Sequence, residues 1–479
     1  MAMGFSSLEI ARSGMAFSET ALSVTGHNVS NVNTDGYVRQ QAISAASRYH
    51  EASGKQYGLG AEVQEVRQIR NQFLDNVYRN ENTTLGYWAT RSKTFQDIQA
   101  ILGDPMSSGL QDVMNQFWDS WQELSKEPDS LTVRALVVKR GEALVDQINH
   151  IGSQIDKLQE DLNSEFSFRI GELNDITSKI ANLNPAILMN EITGDSANDY
   201  RDQRNSLVDR LSKLANVEVT EMQDGQLDIT LGGYYLVSKG VQTSLVAEAN
   251  DVSGMFFMPK LEGTDIEVPI KSGILKGLME SRGEVFDTAG SAEIIPNLKN
   301  KLNALVNTFA VEVNKLHSSG KPLGNPPFPA DLNFFVAINS DPLQMGNIKL
   351  NDNLTNLNNI VTSKSGESGD NTIALEIANL REVECIYDPK GILSIDDYYQ
   401  SIILDVGNGG SEAAGITENQ QKMVDSANSQ RQSIMGVSMD EEMSNMMKYK
   451  FSYSAASRAI NAIDDMLETI ISRMGLVGR

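Results

Sequence analysis

Both ends of this chain carry a seven-residue apolar repeat, and about 400 residues of mostly non-heptad sequence lie between them. Near the start, Leu8, Met15, Leu22 and Val29 recur every seven residues, with Ala11, Ser18, Thr25 and Val32 as a weaker row three positions on. Near the end, Met446, Tyr449, Tyr453, Ala456, Ile460, Ile463, Leu467, Ile470, Met474 and Val477 fill the a and d positions in turn. A stripe this narrow suits a helix that packs on another helix, not one that lies on a broad core. Each end therefore needs a helical partner, and the simplest partner for one stripe is the other. Such pairing folds the chain back on itself and points to a protein whose work is assembly.

At 479 residues the chain exceeds one core, because single cores stop growing near roughly 250 to 300 residues. A formal charge of −23 repels phosphate backbones and anionic lipid surfaces, so no nucleic-acid partner is expected. The single cysteine, Cys385, excludes an internal disulfide framework and a thiolate cluster. No run of 18 apolar residues occurs, so no membrane insertion is expected. The first residues lack a basic segment followed by an apolar run, so an exported chain of this kind would need a specialised route rather than a conventional signal peptide.

Periodicity divides the chain. Residues 5–32 read as a helix that stops in the turn-forming cluster ending at Gly36, and Tyr37 to Glu65 reads as an extended connector or hairpin. Helical spacing returns at Ile69, Phe73, Val77, Trp88, Phe95, Ile98 and Leu102, and again at Val113, Phe117, Trp121 and Leu124, where the aromatics read as core rather than a binding platform. From Pro128 to about Asn190 one long helix is predicted, with a possible break at Pro185 and a reach of roughly 80 to 90 Å. A shorter helix at Ala197 to Leu214 precedes alternating segments from Val217 to about Ile270 that predict antiparallel hairpins. Helices follow from Ser272 and Ile295, and residues 320–370 read as irregular with short strands such as Phe334 to Ile338. Helical pieces return at Thr372 to Leu380 and Asp396 to Asp405, Gly409 to Ala413 reads as a flexible loop, and Asn419 to Met474 is helical with a break at Gly436 and Val437. The fold class is multi-domain α+β: a terminal helical coiled-coil domain (1–40 with 425–479), a mostly helical middle domain with long helices (41–215 with 272–424) and an inserted β-rich outer domain (216–271).

Chemistry is sparse. His27, His50, His150 and His317 have no metal-ligand spacing and read as surface or helix-face residues. There is no phosphate-binding loop, no nucleophile elbow and no calcium loop, and the run Asp195, Asp199, Asp202 reads as a solvated or salt-bridged face. No catalytic, cofactor or metal residues are assigned, and no enzyme is expected. Met439, Met443, Met446 and Met447 form an unusual cluster that suits an adaptable packing surface.

The segment VTGHNVSNVNTDGYVRQ closely resembles the flagellar hook-associated protein 1 family, the first junction protein between hook and filament. The similarity rests on Thr25, Gly26, His27, Asn28, Asn31, Val32, Asn33, Thr34, Gly36, Tyr37, Arg39 and Gln40, with departures at Ser30, Asp35 and Val38. The block GVSMDEEMSNMMKYKFSYSAASRAI is similar to the family's second signature through Gly436, Val437, Ser438, Asp440, Glu441, Glu442, Met443, Asn445, Tyr449, Tyr453, Ala455, Arg458 and Ile460, while Lys450 and Phe451 replace a polar pair. Ala197 to Val219, Gly273 to Arg282, Val313 to Gly320 and Gly369-Asp370-Asn371 resemble it as well, so the likeness covers most of the chain.

The resemblance implies an axial subunit of the bacterial flagellum, extracellular at the hook–filament junction, secreted through the flagellar type III apparatus and without cofactor. It implies a closed ring of about eleven copies of this chain, hook protein on one side, the second hook-associated protein on the other, and an export chaperone masking the terminal helix. The expected assembly interface is Leu8, Met15, Leu22, Asn28, Val29, Asn31, Asn33, Gly36, Tyr37, Met446, Tyr449, Tyr453, Ile460, Ile463, Leu467, Ile470 and Met474. Isolated narrow stripes bury too little area to offset chain ordering, so the terminal helices are expected to gain order on assembly. The rivals are another axial component, of hook or filament type, and a secreted enzyme with its site in the β insertion or in residues 320–370.

Overall fold

The computed structural model describes residues 2–473, apart from residues 53–54, 104–108, 193, 195, 250–255, 284–292, 325–328, 341 and 389–390. It is 65% helical, with small antiparallel sheets, which gives a mostly helical α+β chain.

The first helix, α1 (Ala2–Ser30), leads into strands β1 (Gln40–Ala46), β2 (Tyr49–Ala52), β3 (Lys55–Gly58) and β4 (Ala61–Gln68). β2 and β3 form a hairpin that extends the β1–β4 ribbon, and a register shift opposite Ile43 and Ser44 leaves Gln64 as an extra residue that kinks β4. This is the predicted connector, and it lies against α1.

The body is built on α2 (Gln72–Leu102), α3 (Leu110–Lys126), α4 (Leu131–Glu191) and α5 (Asn198–Leu214). α4 is 61 residues long and spans about 90 Å at 1.5 Å per residue. Pro185 does not break it; the missing amide hydrogen bond falls next to Gly240, whose bare Cα leaves room for the proline ring. One buried face runs from Val137 through Leu144, Ile148, Ile155, Leu162, Phe166, Ile170, Leu173, Ile180 and Ile187.

Strands β5 (Val217–Glu221), β6 (Leu227–Leu231), β7 (Tyr234–Ser238) and β8 (Val241–Gln242) make a four-stranded meander, and β9 (Leu245–Ala249) pairs with β10 (Phe257–Leu261). α4 is the rail that holds them. The Asn163 amide oxygen accepts from Phe257 N (2.9 Å), Asn174 exchanges two bonds with Leu245 (2.9 and 2.7 Å), and Asn184 exchanges two with Leu227 (3.1 and 2.8 Å). Asn174 and Asn184 each stand in for one residue of a neighbouring strand, because a primary amide carries both a donor and an acceptor.

α6 (Ile274–Arg282) and α7 (Ile294–Ser319) return the chain to the body, followed by β11 (Phe335–Ala337), β12 (Ile348–Leu350), α8 (Thr372–Asn379), β13 (Ile386–Asp388) and β14 (Gly391–Leu393). Phe117, Trp121, Phe309, Phe334 and Phe335 form one buried aromatic cluster, as the spacing of the first two predicts. Phe73 departs from that expectation: it sits at the first turn of α2, where no neighbouring element covers it, and is 71% exposed. His317 is a second correction, since it is fully buried in the aromatic cluster rather than on a surface. Its Nδ1 lies 2.5 Å from Leu332 O and its Nε2 accepts from Val361 N at 2.9 Å, so the ring is fixed as a neutral tautomer. Burial pushes its pKa down to about 4.

The last two helices are α9 (Ile395–Met435) and α10 (Met439–Arg473). The loop expected at Gly409 to Ala413 is helical. Gly409 and Gly410 lie on Phe95 and Gln99 of α2 so closely that an added Cβ would stand 2.7 Å from each, and contact with α2 carries the helix through its glycines. The break at Gly436 and Val437 falls where expected, and residue 425 lies within the continuous helix α9.

Candidate assembly interface and the polar clamp at its base

α1 and α10 pair along their lengths as an antiparallel two-helix rod: Asn28 meets Glu442 at one end, and Phe17 packs edge-on against Tyr449 further along. The seam on α1 is not the row of large residues. Its buried members are Ala11, Ser18, Ala21, Thr25 and Asn28, whereas Leu8, Met15, Leu22 and Val29 are half-buried on the flank. Small side chains let the two backbones come close, and the longer ones then cover the edges of the contact. On α10, Glu442 and Ile463 are buried, Met446, Tyr449, Ala456, Ile460 and Leu467 are half-buried, and Tyr453 is 37% exposed. The side chain of Ile470 and the whole of Met474 lie outside the described residues.

The opposite face of α10 is uncovered. Met439, Met443, Met447 and Phe451, spaced four apart, are 41%, 47%, 54% and 70% exposed, and Met466 continues the apolar surface further along. Spacing of four residues lays these side chains in a single ridge, the form that interdigitates with another helix.

At the base of the rod the signature residues converge. Gly36 has φ +79°, and a Cβ there would stand 3.2 Å from Ser206, so glycine allows the chain to turn closely over α5. The following strap, residues 37–40, is pinned from three sides. Asn28 on α1 uses its full amide capacity: Nδ2 donates to Gln40 O (2.9 Å) and Glu442 Oε2 (3.1 Å), and Oδ1 accepts from Tyr37 OH (2.8 Å) and Gln40 N (3.0 Å). From α10, Glu442 takes Arg39 Nε at 2.8 Å and Glu441 takes Arg39 Nη1 at 2.7 Å. From α5, Asp202 accepts from Val38 N (3.1 Å) and Asp199 from Gln40 Nε2 (3.0 Å). Arg39 N further donates to Met435 O at 2.9 Å, which joins the strap to the end of α9.

Of the run expected to be a solvated or salt-bridged face, Asp195 lies outside the described residues, and Asp202 follows the salt-bridged reading, not the solvated one: it is buried beneath the strap 3.7 Å from Arg70 Nη1, with its pKa pushed up to about 7 by burial. Burial raises the Tyr37 phenol as well, helped by Asp199, Asp202 and Glu442, and keeps it neutral as the donor to Asn28. Asn31 organises the turn, donating to His27 O (3.1 Å) and accepting from Thr34 Oγ1 (3.1 Å), while Asn33 is exposed. The structure therefore brings Asn28, Tyr37 and the start of α10 together. Periodicity missed Glu442, Arg39 and Asp202 as parts of one cluster, although Arg39 and Glu442 stand in the two matched segments. Among the described residues, no group of histidine, cysteine or carboxylate side chains could hold a metal ion, and no helix is long and apolar enough to cross a membrane.

Residues 95–332 match the family described as the flagellar hook-associated protein FlgK helical domain, and residues 428–473 match the flagellar basal body rod FlgEFG protein C-terminal family. The flagellar hook-associated protein 1 of Bacillus subtilis is 29% identical over 509 aligned positions that cover all of both chains. The Escherichia coli protein of the same name is 23% identical over 96% of this chain and 98% of its own. The solved flagellar hook junction protein FlgK from Burkholderia pseudomallei superposes with a TM-score of 0.62 at 14% identity, covering 75% of this chain and 100% of that one.

Proposed function

This chain belongs to the flagellar hook-associated protein 1 family, a structural component of the flagellum at the hook–filament junction, and from that premise we propose how it assembles. The observation that carries the proposal is that α10 uses one face inside the chain and leaves a second apolar face open. The inner face makes the rod with α1; the ridge of Met439, Met443, Met447 and Phe451 joins like subunits into a ring of about eleven, a heterologous contact that closes by rotation. Methionine suits such a ridge because its unbranched thioether adapts to neighbours of different shape, here the hook protein on one side and the second hook-associated protein on the other.

Ordering accompanies assembly in this reading. The clamp at residues 28, 37–40 and 442 holds the base of the rod, while its far end, around Leu8 and Ile463, gains full order when neighbours cover the ridge at about 25 cal/mol per Å². The chain travels through the type III export apparatus with a chaperone on the terminal helix, whose apolar ridge needs cover before assembly. It performs no catalysis in this role.

Immunogold labelling of isolated hook–basal bodies tests the proposal. Label confined to the distal hook tip is the expected result, and label along the length of a fibre would assign the chain to a hook or filament role instead. Hydrolase activity of the free chain, lost on substitution within residues 215–375, would favour the enzyme reading.

A further inference from the structure

We propose that Asn28 and Glu442 fix the register of α1 against α10, so that two otherwise repetitive helices pair in one alignment. The inference concerns pairing within one chain and does not depend on what the outer ridge binds.

A heptad seam repeats itself, so sliding one helix by seven residues returns seam positions to seam positions. The α1 seam discriminates poorly between such alignments. Its members are Ala11, Ser18, Ala21 and Thr25, and a seven-residue shift exchanges Ala11 for Ser18 and Ser18 for Thr25, one small side chain for another. Only its last member, Asn28, is different in kind. On α10 the matching row is Glu442, Tyr449, Ala456 and Ile463, each seven apart, and only its first member carries charge. The two exceptions meet each other in the observed alignment, at 3.1 Å and almost wholly buried.

Sliding in either direction separates them. In one, Glu442 faces Ala21; in the other, Asn28 faces Tyr449 and Glu442 passes the end of α1. Glu442 then loses Asn28, and Arg39 cannot follow, because its strap is tied to α5 through Val38 N and the Gln40 side chain. A buried carboxylate without donors is disfavoured far more than a mismatched small residue, so the polar pair excludes what the apolar seam tolerates. A single buried polar position setting helix register is known physics for coiled coils. Here one side of the pair lies at the beginning of the chain and the other near its end.

A different cause of the same alignment is the short link of residues 436–438, which tethers α10 to α9. Pulsed dipolar spectroscopy on the free chain separates the two, with spin labels at the exposed positions Ser30 and Ser452 and with Cys385→Ser to remove the native thiol. The otherwise unaltered chain is expected to give one narrow distance, and so is Glu442→Gln, which keeps an acceptor for Asn28. Asn28→Leu with Glu442→Leu is expected to add a second population displaced along the rod by about 10 Å, the rise of seven helical residues. A single unchanged distance in the double variant would show that the tether sets the register. A broad, featureless distribution would show that the pair supplies stability alone. Either result overturns the proposal, and neither bears on incorporation at the hook tip.

Discussion

Glu442, at the start of α10, accepts a hydrogen bond from Asn28 across 414 residues of sequence, and both side chains are almost completely buried. Asn28→Ala removes four hydrogen bonds at once: it leaves the backbone N–H and C=O of Gln40 and part of Glu442 unmatched, and the Tyr37 hydroxyl with His27 Nδ1 at 3.4 Å alone. Unmatched buried polar groups cost about 1 to 3 kcal/mol each before relaxation. Amide hydrogen exchange is therefore expected to accelerate through residues 20–40 and 439–450, with the aromatic cluster around Phe117 unchanged. Exchange equal to that of the parent chain would contradict the clamp.

The two faces of α10 should separate genetically. Phe451→Asp or Met447→Asp places charge on the open ridge, so the free chain keeps its helicity and thermal midpoint while incorporation at the hook tip fails. Ile463→Asp or Leu467→Asp places charge in the seam and should loosen the rod itself, seen as faster proteolysis of α1 in the free chain. Equal effects of both pairs on the isolated chain would merge the two faces into one.

His317 gives the body an acid limit. Its folded pKa, about 4, lies below the usual value of 6.5, so the unfolded chain binds the proton more readily. The associated stability is complete above pH 6.5 and is lost as pH falls from there through about 4, by at most roughly 3 kcal/mol. Protonation at Nε2 would abolish the bond from Val361 N. Denaturant titrations at pH 7 and pH 4.5 should show the decline, and the decline should flatten in His317→Gln.

The glycines of α9 are not equivalent. Gly415 has open space where a Cβ would go, so Gly415→Ala should stabilise the helix by up to about 1 kcal/mol. Gly409→Ala directs a methyl group into Phe95 and should destabilise the contact with α2. Thermal unfolding of the two variants should shift in opposite directions.

The sequence made the long elements legible because each buries one face at helical spacing: α1, α4, α7, α10 and the break at Gly436 all lie where periodicity puts them. It misplaced what depends on a partner from elsewhere in the chain. Gly409 to Ala413 has the composition of a loop and is helical because α2 receives it. Leu8, Met15, Leu22 and Val29 are the stronger row by hydrophobicity, yet Ala11, Ser18 and Thr25 occupy the seam because closeness, not bulk, decides which face two helices share. The clamp was the least accessible, since Asn28, Arg39, Asp202 and Glu442 are ordinary polar residues until the fold makes them neighbours. Asn163, Asn174 and Asn184 hid for the same reason: an asparagine on a helix gives no local sign that a strand terminus will dock on it.

The closure of the first helix on the last makes the rest of the polypeptide, in topological terms, one large excursion out of a helical hairpin. A change of length within that excursion, the sheet held by α4 included, leaves the α1–α10 pairing and its clamp at residues 28, 39 and 442 in place.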